Sequence, residues 1–275
     1  MTDPTATCRT VTPTFIAAVL LSLFVALGVL AHHAAAGTGF DHEVLGWMVD
    51  HRSPGLTWLA IAVTDAGSPV ATGVIALVAG AVLWWRSGSA RPAILILVTL
   101  AAVATSTLTK IVVGAHRPPL AIQLIVETDP SFPSGHVTGT LALLGVLTVV
   151  TSQHGGRAAH GALLALTATA TALVALTRLY LGVHWVTDIV GGMLLGASAV
   201  VLAHLAYRRM MGSSDTHGHS GQPRPPTTSP RPGGALERYT SRSAPAVGMK
   251  NLLSAVGNLT LSVTPIPKNM SGRPS

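Results

Sequence analysis

Six apolar runs of membrane-crossing length recur along this chain, at about 14–31, 68–85, 92–112, 137–152, 159–177 and 187–206. A bilayer is crossed by a helix of ~17–25 mostly apolar residues, so each run reads as one span. The rest of the sequence cannot dress a soluble surface: 49% of residues are hydrophobic and 10% charged, against about 25% charged in an ordinary soluble domain. Mean hydropathy is +0.53. The expected fold class is therefore all-α, a polytopic membrane protein with about six transmembrane helices. Ala, Leu, Val and Gly dominate and aromatic residues make up only 4%, a composition suited to close helix packing. The segment 53–67 is too short and interrupted to span. It reads as an interfacial helix or as an extension of the second span. Pro118-Pro119 is expected to end the third span, because proline removes a donor and disfavours helix at the preceding residue.

The net charge of +7 is unevenly placed. Of the 17 Lys and Arg residues, nine lie at or beyond Arg208: Arg208, Arg209, Arg224, Arg231, Arg238, Arg242, Lys250, Lys268 and Arg273. A basic tail after a last membrane helix fits topology and anionic headgroups; nucleic acid is not an expected partner. Outside the three polar islands described below, Arg9, Arg86, Arg91, Arg157, Arg208 and Arg209 fall on one side of a six-span arrangement, and only Arg52 on the other. The positive-inside bias then puts both termini in the cytoplasm. Trp84-Trp85 and Trp185 are expected at the membrane interfaces. Arg9, the first apolar run and Ala34-Ala35-Ala36 resemble a signal peptide with its cleavage motif, but the run is long for a signal core. The expected organisation is a cytoplasmic N-terminus over 1–13, a six-helix membrane domain over 14–211 and a disordered basic cytoplasmic tail over 212–275. His217-Gly218-His219 reads as tail rather than metal site, and 249–263 as a short surface helix. The lone Cys8 excludes an intramolecular disulfide.

Three polar islands interrupt this oily chain where such groups are costly. In the first, Lys110 and Arg117 stand about two helical turns apart, so both would share a side if the helix continued. The second, Pro133-Ser134-Gly135-His136, opens the fourth span: serine suits the cap, glycine allows close approach, and the first amides offer an anion site. His136 there can serve as general acid. In the third, His184 and Asp188 share one helical face at i and i+4, with Arg178 six residues upstream. Asp188 can orient the His184 ring and stabilise its cation, which makes His184 the candidate nucleophile. Arg178, across a turn containing Gly182, can grip phosphate oxygens bidentately. Taken singly, these groups read equally well as an interfacial ion pair, a helix cap with an incidental histidine, and snorkelling cations. Their conjunction on the outward face points instead to a phosphoryl site. Glu127 and Asp129 read as isolated loop residues unsuited to magnesium, so no metal and no cofactor are expected.

Lys110-x6-Arg117-Pro118, Pro133-Ser134-Gly135-His136 and Arg178-x5-His184-x3-Asp188 together resemble the three-part signature of the type-2 phosphatidic acid phosphatase and vanadium haloperoxidase superfamily. The resemblance spans about residues 55–206, with Thr177 where the family usually has serine. It implies a helical phosphatase core, family motifs within 110–188, and a phosphohistidine intermediate. His184 would attack, Asp188 support it and His136 protonate the leaving group. Lys110, Arg117, Ser134, Gly135 and Arg178 would hold the phosphate. The function this implies is hydrolysis of a lipid phosphate or polyprenyl pyrophosphate at the extracytoplasmic face, with membrane lipids as surroundings. A vanadate-dependent haloperoxidase and a non-enzymatic lipid-phosphate binder or transporter are the alternatives.

Overall fold

The computed structural model describes residues 4–89, 92–151 and 156–216. These contain eight α-helices, a short 3-10 turn at Leu120–Ile122 and no strand. The helices are α1 (Pro4–Ala34), α2 (Gly39–Asp50), α3 (Pro54–Ala66), α4 (Pro69–Ser87), α5 (Ala93–Val113), α6 (Gly135–Thr151), α7 (Arg157–Tyr180) and α8 (Val186–Thr216). All six expected runs are helical. Five helices are long and apolar enough to cross a membrane, and α6 is a shorter apolar helix. The protein is thus an all-helical, multi-pass membrane protein.

Local chemistry sets the helix starts. Ser53 and Ser68 each cap the helix that follows, accepting from the amides of Leu56 and Ala71, and in both cases proline takes the first helical position. The segment 53–67 therefore forms its own helix, separated from the second span at Gly67-Ser68 rather than extending it. α5 ends at Gly114, which adopts the left-handed conformation, so the glycine and not Pro118-Pro119 terminates it. α8 runs on to Thr216, past the boundary expected at 211. The rest of the tail, including His217-Gly218-His219 and 249–263, lies outside the described residues.

α6 is the hub, packing on α4, α5, α7 and α8, while α1 covers α8 and α5. With 17 residues, α6 is about 26 Å long at 1.5 Å per residue, less than the ~30 Å hydrocarbon thickness. Protein neighbours rather than lipid surround much of it. Large apolar side chains such as Leu97, Ile111, Val112, Val74 and Val78 point outward, as a bilayer solvent requires. At one end of the bundle Ala76, Leu95, Val146, Ala203 and Tyr207 form an apolar cluster. The other end gathers the three polar islands.

Candidate active site

The third island is assembled at the α7–α8 turn. Arg178 lies in the last turn of α7, and Asp188 in the first turn of α8. Between them Gly182 takes φ +70°, and a Cβ there would meet Arg52 Nη2 at 2.7 Å and the Ile122 carbonyl oxygen at 2.8 Å. Only glycine satisfies both the backbone angle and the space. Arg52 Nε donates to the Tyr180 carbonyl, and the Tyr180 hydroxyl donates to the Ser53 carbonyl. These bonds pin the turn to the start of α3.

His184 and Asp188 are both almost completely buried. His184 Nδ1 lies 3.1 Å from Asp188 Oδ2. The same carboxylate accepts from the Trp185 amide at 2.8 Å and from the Ser131 hydroxyl at 3.3 Å. His184 Nε2 lies 3.2 Å from Arg117 Nη1. A guanidinium can only donate, so Nε2 is the accepting nitrogen and the ring proton sits on Nδ1, facing Asp188. Burial, with Arg117, Arg178, Lys110 and His136 nearby, holds the His184 pKa well below its ordinary value. The ring is a neutral imidazole whose Nε2 lone pair accepts from a cation.

The second island meets the third through backbone. The Ser134 amide donates to the Asp188 carbonyl at 3.0 Å, which joins the start of α6 to the start of α8. Gly192 makes this possible, since a Cβ there would stand 2.7 Å from the Ser134 carbonyl oxygen. Ser134 immediately precedes α6, but its hydroxyl makes no capping bond: Ser134 Oγ and Arg178 Nε are both buried without a hydrogen-bond partner. Buried polar groups are nearly always paired, and here two such donors belong to candidate site residues. Gly135 opens α6 and is buried. His136, next along, is half-buried and feels the charges of Arg178, Arg117 and Lys110.

The first island converges differently from the sequence expectation. Arg117 lies in the loop after α5, not on a continued helix, yet both cations reach Asp129: Lys110 Nζ at 2.9 Å and Arg117 Nη2 at 2.7 Å. Backbone carbonyls steady them. Lys110 donates to Pro130, and Arg117 to Asp129 and Val183. Arg178 donates to the Thr64 hydroxyl at 3.0 Å and to Glu127 Oε1 at 2.5 Å. Glu127 Oε2 also lies 3.4 Å from Arg117. Glu127 and Asp129 are therefore not isolated loop residues; they bind all three candidate phosphate cations.

All eight residues singled out in the sequence thus lie at one end of the bundle. Residues 91–211 match the PAP2 superfamily. The chain thus carries a PAP2-superfamily region over these residues. The match encloses every candidate site residue and all of α5 to α8 up to position 211. A crystal structure of a transmembrane PAP2-type phosphatidylglycerolphosphate phosphatase from Bacillus subtilis is similar, with TM-score 0.60 and 22% identity. That alignment covers 74% of this chain and 97% of that one. Aquifex aeolicus LpxE aligns with TM-score 0.48 and 18% identity, over 61% of this chain and 96% of its own. No protein among the curated ones matches. The first likeness shows a shared helical fold.

Several features of this candidate site were not read from the sequence. Thr64 on α3 and Ser131 contact Arg178 and Asp188 across long stretches of chain. Asp41, on the unpredicted α2, is buried and accepts from the amide and hydroxyl of Thr187 at the start of α8. The Thr38-x-x-Asp41 capping box was the available local signal for α2. Thr177 keeps a hydroxyl, but it donates to the Val174 carbonyl of its own helix at 2.7 Å. Trp185 is buried rather than interfacial: its indole N–H donates to the His116 carbonyl and its ring packs edge-on against His42. Trp84 and Trp85, by contrast, are exposed at the end of α4.

Proposed function

We propose that this membrane protein is a metal-independent lipid phosphatase working through a phosphohistidine. The observation that carries the proposal is the His184 ring, with Nδ1–H on Asp188 and the Nε2 lone pair facing Arg117. In the first step Nε2 bonds to the phosphorus and the bond from phosphorus to the leaving oxygen breaks, with His136 supplying that oxygen's proton. In the second step water, deprotonated by His136, attacks phospho-His184 and releases inorganic phosphate. Asp188 stabilises the positive ring in between. Lys110, Arg117, Arg178, the Ser134 hydroxyl and the Gly135 amide hold the phosphoryl oxygens, electrostatic work that falls to fixed donors.

The substrate class is a lipid phosphate or polyprenyl pyrophosphate. An apolar groove of about 540 Å3 between α1 and α5 supports this reading; it is lined by Phe24, Gly28, Val29, Leu108, Val113 and Phe132. Phe132 is two residues from Ser134, so a chain lying in the groove ends beside the phosphate seat. The distribution of arginines supports an extracytoplasmic site with cytoplasmic termini. Arg157 opens α7 and Arg208-Arg209 lie toward the end of α8, while Arg178 and Asp188 occupy the opposite ends of those helices.

The test is phosphate release by the purified protein across polyprenyl pyrophosphates, polyprenyl phosphates, phosphatidate and phosphatidylglycerophosphate, without added metal. Turnover of at least one, inhibited by vanadate, with an acid-labile phosphoenzyme that His184→Ala lacks, is the expected result. Full activity in His184→Ala sinks the mechanism. Halide oxidation on adding vanadate and peroxide, without phosphate release, would favour the haloperoxidase alternative.

A further inference from the structure

The three cations assigned to phosphate are already paired with carboxylates of the protein's own loop. Glu127 pairs with Arg178 at 2.5 Å and Arg117 at 3.4 Å; Asp129 pairs with Lys110 at 2.9 Å and Arg117 at 2.7 Å. Two loop carboxylates thus stand against three cations. A phosphate ester entering this site must compete for the same N–H groups. Building on the phosphatase reading above, we propose that Glu127 and Asp129 are specificity-determining residues: an internal dianion that sets the minimum charge a ligand's phosphate must carry.

Three features support exchange rather than permanent cementing. First, the cations keep other partners when the carboxylates leave. Arg117 holds the carbonyls of Asp129 and Val183, Lys110 that of Pro130, and Arg178 the Thr64 hydroxyl. Second, the carboxylates lie toward solvent: the Asp129 side chain is 51% exposed and that of Glu127 24%, against 6% for Arg117 and 1% for Arg178. Third, Arg117, Glu127 and Asp129 line a hollow of about 380 Å3, a path by which one anion can replace another. Lys110 and Arg117 hold the Asp129 pKa down at about 2 against the opposing effect of burial, so its charge persists at every working pH. The rest of the segment need not travel. The Leu124 amide is tied to the Leu181 carbonyl and the Ser131 amide to the Ala115 carbonyl, which leaves the stretch between them to adjust.

The consequence is selection by charge. A phosphomonoester near −2 at neutral pH replaces both carboxylate charges, while a diester with a single charge leaves a cation short. The paired state also acts as a tax on affinity, since apparent binding weakens in proportion to the competent fraction. Removing either carboxylate charge lifts part of that tax.

Inorganic phosphate and methyl methylphosphonate, a monoanion, serve as probes on the purified full chain, with binding followed by calorimetry and needing no turnover. Glu127→Gln and Asp129→Asn are expected to tighten phosphate by about five- to tenfold. They should tighten the monoanion more, so that discrimination between the two narrows. The charge-keeping Glu127→Asp should bind like the parent. Unchanged or weaker phosphate binding in both neutral variants would overturn the proposal, as would equal tightening by Glu127→Asp. Loss of folded protein in the neutral variants with Glu127→Asp intact would overturn it too, by marking the carboxylates as structural ties. Failure of the phosphatase reading shows separately, as absence of phosphate release from every lipid by the parent protein.

Discussion

At one end of the bundle Leu95, Val146 and Ala203 are wholly buried among apolar neighbours, while at the other Arg178, His184 and Asp188 are buried just as deeply. The first group is held by shape alone. In the second, each side chain makes a directed bond to a partner remote in sequence or on the next turn: Arg178 to Thr64 and Glu127, His184 to Arg117 and Asp188, Asp188 to Ser131. Equal burial therefore conceals different vulnerability. An apolar position answers to lost volume, a polar one to lost direction and charge.

The largest effect expected is at His184, the proposed nucleophile. His184→Ala should lower turnover more than ~10^4-fold and abolish the phosphoenzyme, while the protein still purifies as a folded species. Asp188→Asn comes next. An amide can present its N–H to the ring and favour the wrong tautomer, so kcat should fall about 10^3-fold with the helices intact by circular dichroism. Leu95→Ala tests the opposite end. It should cost about 2–4 kcal/mol of stability, seen as a lower melting temperature in detergent, with KM unmoved below that temperature. A collapse of catalysis without loss of stability there would break the comparison.

Smaller still is the pH response. The folded pKa of His184 lies below its ordinary 6.5, so the ring remains unprotonated as pH falls through that value. The acid limb of kcat/KM, corrected for the substrate phosphate's own ionisation near ~6, should then lie below pH 6.5. The same shift means the unfolded chain binds the proton first, so this group's contribution to stability declines as pH drops from 6.5 toward the folded pKa. Thr177→Ser should be the mildest change. The hydroxyl can keep its bond to Val174, and kcat/KM should stay within about twofold.

The six apolar helices and the eight candidate residues were legible because both are written locally. Spans announce themselves by apolar length, and His184 with Asp188 by a four-residue step. Their assembly into one site could be inferred only from topology, since Ser134 meets Asp188 through backbone atoms that no side-chain pattern encodes. Glu127 and Asp129 escaped because two carboxylates in a loop carry no sign of which cations they will face. α2 escaped for a related reason. Its role depends on Asp41 reaching Thr187, 146 residues away, and its apolar positions do not form a span. Trp185 shows the converse: a span-end tryptophan follows the interfacial pattern until a carbonyl such as that of His116 takes its N–H.

The bond between the Ser134 amide and the Asp188 carbonyl has an electrical consequence. It brings the starting ends of α6 and α8 together, and each helix start carries roughly half a positive elementary charge from its aligned peptide dipoles. Together they give the seat a field built from backbone alone. Lysine and imidazole charges depend on protons, and the arginines here are shared with carboxylates. The two helix ends cannot be titrated or exchanged, so the attraction for an anion outlasts changes in pH and in the loop above it.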